Sequence, residues 1–269
     1  LDSGEKVQVA VLTDGSEPTS AQLGQAYATA LNASYDKQVV VEWADRQGLD
    51  VAQAGQIEPR LRTWYNPEQK SSDFLIPGLM VVIIMVVTVQ QTAVTLVRER
   101  EQGTGEQMAV SPLRRGELML GKLLPWTLLA FADMLAIALV GIWVFDLPLR
   151  GNIGFLALSS VTFVFAALGI GLIVSAVAPS LETANIVGLL IAFLPAFLLS
   201  GFAFPLDSIP LPLQWLSYAF PGRYMVAISR GVFLKGAGFP ELWPQLAGLT
   251  AYALVVLLAS SLLYRRRST

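Results

Sequence analysis

The chain has 269 residues, 54% of them hydrophobic and 14% charged, with a net charge of −2. Soluble domains average roughly 25% charged, so the deficit points to a membrane protein. There is no Cys, which excludes disulfides and thiolate metal sites, and no His, which removes the commonest general base and zinc ligand and disfavours hydrolase chemistry.

Residues 1–73 carry six Lys/Arg against eleven Asp/Glu and read as a small soluble α/β unit. The alternation of Val7, Val9 and Val11 predicts a strand with one buried face. Ser16-Glu17-Pro18 predicts a helix start, and Leu23, Tyr27, Ala30 and Leu31 share one helical stripe. "QVVVEW", 38–43, predicts a second strand, and "PRLRTWYNPEQ" a third that closes at Asn66-Pro67.

The stretch from Phe74 to Val97 holds no charge. About 20 apolar residues at 1.5 Å rise cross a hydrocarbon core of roughly 30 Å, so a crossing is predicted over 75–97. Thr88, Gln91, Thr92 and Thr95 fall at helical spacing on it and form a polar stripe, with Gln90 off the stripe. Such groups avoid lipid, so the stripe faces either a neighbouring helix or a water-filled path.

Arg98, Glu99, Arg100 and Glu101 then alternate in sign, and Met108 and Val110 add an apolar side. Thr104 to Gln107 fits a capping box that would open a short helix at Gly105. Two readings stand: a juxtamembrane loop whose charges anchor a helix end, or a short cytoplasmic helix that docks on another protein. Further on, Gly116, Gly121 and Lys122 spell most of a phosphate-binding loop. The motif lacks the Mg²⁺-binding Ser/Thr, since Leu123 follows the lysine, and its spacer residues favour helix. Lys122 is therefore expected to snorkel at a helix mouth.

Further crossings are predicted over 118–145, 153–177, 184–203 and 245–264, five in all, with 204–240 as a re-entrant or interfacial segment. Asp133 lies deep in the second, where a carboxyl is costly and by default functional; it is a proton carrier or a packed, neutralised group. Phe193, Phe197 and Phe204 surround Pro195 and Gly201 in the fourth crossing, as lipid and core contacts or as a substrate gate. Lys and Arg concentrate in the 98–122 region and in the tail 265–269, which places both in the cytoplasm and the acidic head outside it. Exporting such a head, in a chain beginning at Leu1, predicts a hydrophobic segment upstream of this sequence.

"REREQGTGEQMAVSPLRRGELMLGKLLPW" resembles the signature of type-2 ABC exporter permeases, as do "WYNPEQKSSDFLIPGLM" and "LSGFAFPLDSIPLPLQWLSYAFPGRYMVAISRGVFLKGAG". The likeness covers essentially the whole chain and is nearest to bacterial multidrug-type exporters. It implies a membrane α-helical bundle with a small extracytoplasmic α/β head: head 1–73, transmembrane domain 74–264, coupling segment 98–112. The family has six membrane helices where this chain shows five, which matches the expected upstream segment, and Gly105 replaces a bulky apolar residue.

The resemblance further implies a bacterial inner-membrane permease without catalytic residues, exporting a hydrophobic or amphipathic substrate. Its partners would be a cytoplasmic ABC ATPase that holds the ATP and Mg²⁺, a second permease subunit in a homo- or heterodimer, membrane lipid and a periplasmic adaptor, with no nucleic acid. Arg98, Glu99, Arg100, Glu101, Gly103, Thr104, Glu106, Gln107, Ser111 and Pro112 would form the coupling contact. A proton-coupled secondary transporter using Asp133 and a membrane-tethered sensor are the alternatives.

Overall fold

A computed structural model describes residues 10–15, 18–47, 60–66, 68, 70–103 and 115–267. The chain divides into two units, Leu1–Phe74 and Leu75–Thr269.

In the first unit, β1 (Ala10–Asp14) pairs in parallel with β2 (Arg60–Trp64), in register from Ala10 opposite Arg60 to Asp14 opposite Trp64. Parallel strands need a crossover, and the 30-residue α1 (Pro18–Gln47) lies within it. α1 meets β1 through small and polar groups. Ala21 is buried, a Cβ on Gly24 would stand 3.8 Å from Thr13 Cγ2, and Gln25 Nε2 donates to Thr13 Oγ1 at 3.2 Å. Leu23, Tyr27 and Leu31, the stripe seen in sequence, are instead 57%, 64% and 68% exposed.

The strand predicted over 38–43 is not formed; that backbone is part of α1. Once a helix is nucleated, every added residue gains a hydrogen bond. Three valines in a row cost at most about 0.7 kcal/mol each in helix propensity, and the described sheet, β1 with β2, includes no third strand. After β2, Tyr65 takes φ 69° and Asn66 turns the chain. The Asn66 amide donates to Lys70 O and accepts from Lys70 N, both at 2.9 Å.

The second unit is helical. In chain order its elements are α2 (Ser71–Glu101, which starts just before the unit boundary), α3 (Arg115–Phe145), α4 (Ile153–Val177), α5 (Leu181–Leu198), α6 (Leu211–Ser217), α7 (Pro221–Arg230) and α8 (Phe239–Arg267). Five of these, α2, α3 from Leu124, α4, α5 and α8 to Leu263, are long and apolar enough to cross a membrane. Their sequence explains their placement. α4 contains no charged residue and is apolar all round, as a fully surrounded helix should be. In its most apolar stretch 72% of residues are buried, against 22% in α3, α5 and α8, which leave apolar surface for lipid.

Lipid offers no hydrophobic drive for helix association, so close backbone approach through small residues must supply it. A Cβ on Gly171 of α4 would lie 2.7 Å from Thr92 Cβ and 2.8 Å from Val89 O on α2. One on Gly169 would meet Val256 of α8 at 2.8 Å, and one on Gly248 of α8 would meet Tyr224 of α7 at 2.6 Å. Phe163 and Leu168 of α4, Met80, Ile84 and Met85 of α2, and Met225 and Ile228 of α7 form the buried centre.

The helices alternate in direction, so turns gather at two ends. At one, Asn152 caps α4 by accepting from Phe155 N, while Gly151 N donates to Val232 O at 2.9 Å. The 204–240 region lies there as a 3₁₀ turn (Leu206–Ser208), α6, α7 and a π-helical turn (Gly231–Lys235) ended by Gly236 at φ 67°. The end of α2 and the α4–α5 turn lie at the other.

Candidate functional site

Arg98 to Glu101 form the last turn of α2 itself, with the helix continuing through the charges. Gly103, at φ 71°, then takes the left-handed conformation that ends it. A Cβ there would meet nothing within 4 Å, so the backbone angle, not crowding, favours glycine. Thr104, Glu106, Gln107, Ser111 and Pro112, with the expected short helix, lie outside the described residues.

Arg100 and Glu101 reach the turn that joins α4 to α5. Helix α4 ends at Ala178-Pro179, and Pro179 has no N–H to give to the Ser175 carbonyl four residues back. Arg100 covers this end: Nη2 donates to Ala178 O at 2.5 Å and Nη1 to Ser175 O at 3.5 Å. One residue on, Glu101 Oε1 accepts from Leu181 N, the first amide of α5, at 2.8 Å. Ser180 completes that cap by accepting from Thr183 N at 3.2 Å. The signs suit the helix dipoles, a cation at a C-terminus and an anion at an N-terminus. Both contacts are charge-assisted.

Farther back along α2, Gln90 Nε2 donates to the exposed Asn185 Oδ1 at 2.5 Å and ties α2 to α5 a second time. A Cβ on Gly188 of α5 would stand 3.5 Å from Gln90 Cα, so the backbones are already close. Of the predicted polar stripe, Thr88 and Thr92 are 2% and 1% exposed. Their Oγ1 atoms have no hydrogen-bond partner among the described residues. Gln91 is exposed and Thr95 half-buried. The stripe therefore splits into two groups, a buried pair and a more open pair.

Asp133 is half-buried on α3, flanked by buried Ala130 and Met134 on one side and exposed Leu129 and Ala132 on the other. Phe193 stacks on Phe197 with centroids 5.5 Å apart, and Phe197 meets Phe202 edge-on at 5.6 Å. Phe204 is 51% exposed and outside this ladder. Phe202, which sequence spacing did not single out, takes its place.

At the far end, Arg230 of α7 is 7% exposed and donates to Gly201 O at 2.9 Å and Phe202 O at 3.2 Å, holding the turn after α5. Arg223 donates to Gln214 O at 3.3 Å and to Ser217 Oγ, and its guanidinium lies 3.7 Å from the Tyr218 ring centroid. Gly116 to Lys122 are continuous helix within α3. A phosphate-cradling loop is therefore absent from this stretch.

The arrangement carries no acid–base or nucleophilic constellation among its described groups. What it offers is mechanical: one helix whose charged tip is joined to the turn of a neighbouring hairpin.

The profile of the family described as ABC-2 family transporter protein matches residues 1–262. The chain is 34% identical over 230 residues to the probable multidrug ABC transporter permease YbhS of Escherichia coli, covering 85% of this chain and 59% of that protein. It is 28% identical over 267 residues to the probable multidrug ABC transporter permease YbhR of the same organism, covering 99% and 70%. The inner membrane transport permease YhhJ of Escherichia coli is 27% identical over 252 residues, covering 93% and 65%. The chain thus spans about three fifths of YbhS, and it belongs to the ABC-2 family of transporter proteins, membrane components of ABC transporters.

Proposed function

We propose that this chain is the permease part of an ATP-driven exporter that moves a hydrophobic or amphipathic molecule out of the cytoplasm or the inner leaflet. The observation that carries the reading is the family match along residues 1–262. Hydrolysis belongs to a separate cytoplasmic ATPase, which holds the ATP and Mg²⁺. Two permease chains, alike or different, face each other in the bacterial inner membrane. The unit 1–73 and the 204–240 segment lie on the outer side, and residues 98–112 and the C-terminal tail on the inner side.

The ATPase is met within the segment Arg98 to Pro112, outside the contacts that Arg100 and Glu101 make with the α4–α5 turn. Nucleotide binding closes the ATPase pair, and the permease conformation that fits the closed pair gains population at the expense of the other. A ligand shifts such an equilibrium only by its differential affinity, so the contact region must change its fit between states. α2 is suited to carry that change because it runs unbroken from Ser71 to Glu101. Phe193, Phe197, Gln91 and Thr95 are the side chains proposed to meet substrate or the second permease. Asp133 serves packing in this reading.

The test is co-purification of the permease with a candidate ABC ATPase from the same genome, followed by hydrolysis assays against a panel of hydrophobic cations, anions and lipids. Stimulation by one class, lost on deletion of 104–112, supports the proposal. An ATPase that neither binds the permease nor responds to any class in its presence refutes it.

A further inference from the structure

We infer that Arg100 and Glu101 act inside this chain, as a latch that makes the tip of α2 and the α4–α5 turn move as one body, and not as charges presented to a partner. The inference rests on the exporter reading for its consequence, but its geometry stands apart from that reading.

Three features support it. The guanidinium supplies a donor for a carbonyl that Pro179 leaves without one, and it also binds Ala178 O at 2.5 Å. The next side chain in sequence satisfies the first amide of the following helix, Leu181 N, at 2.8 Å. A third bond, Gln90 to Asn185 at 2.5 Å, fixes the same two helices farther up. Contacts at two heights along α2 and α5 oppose both sliding and hinging between them. Either one alone would leave a hinge. A push received beyond Gly103 therefore reaches α5, and with it the Phe193–Phe197 ladder, without loss at the α2–α5 boundary.

The two roles for Glu101 differ in what a neutral amide does. A glutamine keeps an oxygen that can accept from Leu181 N, and it loses only the charge. Within the assembled permease–ATPase complex in vesicles, Glu101→Gln should keep at least half of the substrate moved per ATP hydrolysed. Glu101→Ala and Arg100→Ala should each lower that ratio at least fivefold while ATPase binding persists. Equal loss in the glutamine and alanine variants, or no loss in the alanine variants, overturns the latch.

A second measurement needs no transport. Spin labels at Gln102→Cys and the exposed Val177→Cys, in the complex, should give one narrow distance that stays within about 2 Å between nucleotide-free and ATP-trapped states. It should broaden on adding Glu101→Ala. A shift of several ångströms with nucleotide in the otherwise native chain overturns the latch, and it decides the matter alone if the alanine variants cannot be purified. A complex that shows the fixed distance yet exports nothing refutes the exporter reading and leaves the latch standing.

Discussion

Gly171→Ala tests the packing on which the bundle rests. The added Cβ would lie 2.7 Å from Thr92 Cβ, 3.1 Å from Thr92 Cγ2 and 2.8 Å from the Val89 carbonyl oxygen. Carbon pairs rest at about 3.5–4.0 Å, so α2 and α4 must separate by roughly 1 Å. The Val89 oxygen is backbone, so no rotamer change relieves it. Overpacking of this kind costs about 1–3 kcal/mol, offset by about 1 kcal/mol of helix propensity that any Gly→Ala change in a helix gains. Gly121→Ala isolates that offset, because a Cβ there meets nothing within 4 Å. The expected result is that Gly171→Ala unfolds about 1–3 kcal/mol more easily than Gly121→Ala. Reversible SDS titration in mixed micelles measures both. Thr92→Gly should restore only part of the loss, since the carbonyl remains in place. Equal stability of the two alanine variants would refute the account of the α2–α4 crossing.

Other outcomes follow from the same structure. The Gln90–Asn185 pair should show a coupling of about 0.6 kcal/mol in a double-mutant cycle with alanine, the usual scale for intramembrane hydrogen bonds. Arg230→Ala strips charged donors from Gly201 O and Phe202 O; it should destabilise by about 3 kcal/mol, and lysine, lacking the planar fork, should restore less than half. Gly201 sits at φ 82°, so Gly201→Ala should cost about 1 kcal/mol or more through backbone strain, visible as a lower melting temperature of the purified permease. Asp133→Asn should leave ATP-dependent export within about twofold, whereas a proton-carrying carboxyl would lose it by a factor of ten or more; transport into inverted vesicles separates the two.

Much of the fold is written in the composition of its segments. The uncharged run from Phe74 to Val97 and the four largely apolar stretches that follow announce long membrane-length helices because lipid tolerates little else. The valines at 39–41 mislead because strand preference is weak beside the cooperativity of a helix already begun at Pro18. Leu23, Tyr27 and Leu31 mark a real helical face, yet sequence does not reveal that the small face of Ala21 and Gly24 is the one that meets the sheet.

The site was legible in its residue types and not in its pairings. Arg100 and Glu101 stand out by charge, but their contacts, Ala178 and Leu181, are backbone groups some 80 residues away, and no side-chain pattern encodes those. Pro179 was the available clue, since a proline just past a helix leaves a carbonyl seeking a donor. Gln90 lies off the threonine stripe, so spacing alone does not single it out; a second amide in an apolar helix, Asn185, is the sign that it has a partner. Arg230 shows in sequence only as one charge in a re-entrant or interfacial segment, although its burial makes it a brace for the turn at Gly201.

The central claim is that this permease is driven by ATP spent elsewhere. Sealed vesicles containing the permease and its ATPase, oriented with the nucleotide sites outward, test it with a fluorescent amphipathic substrate. The account predicts accumulation that requires ATP and Mg²⁺, survives collapse of the proton gradient by an uncoupler and vanishes when the ATPase is made hydrolysis-deficient. Accumulation sustained by a proton gradient without ATP would contradict it.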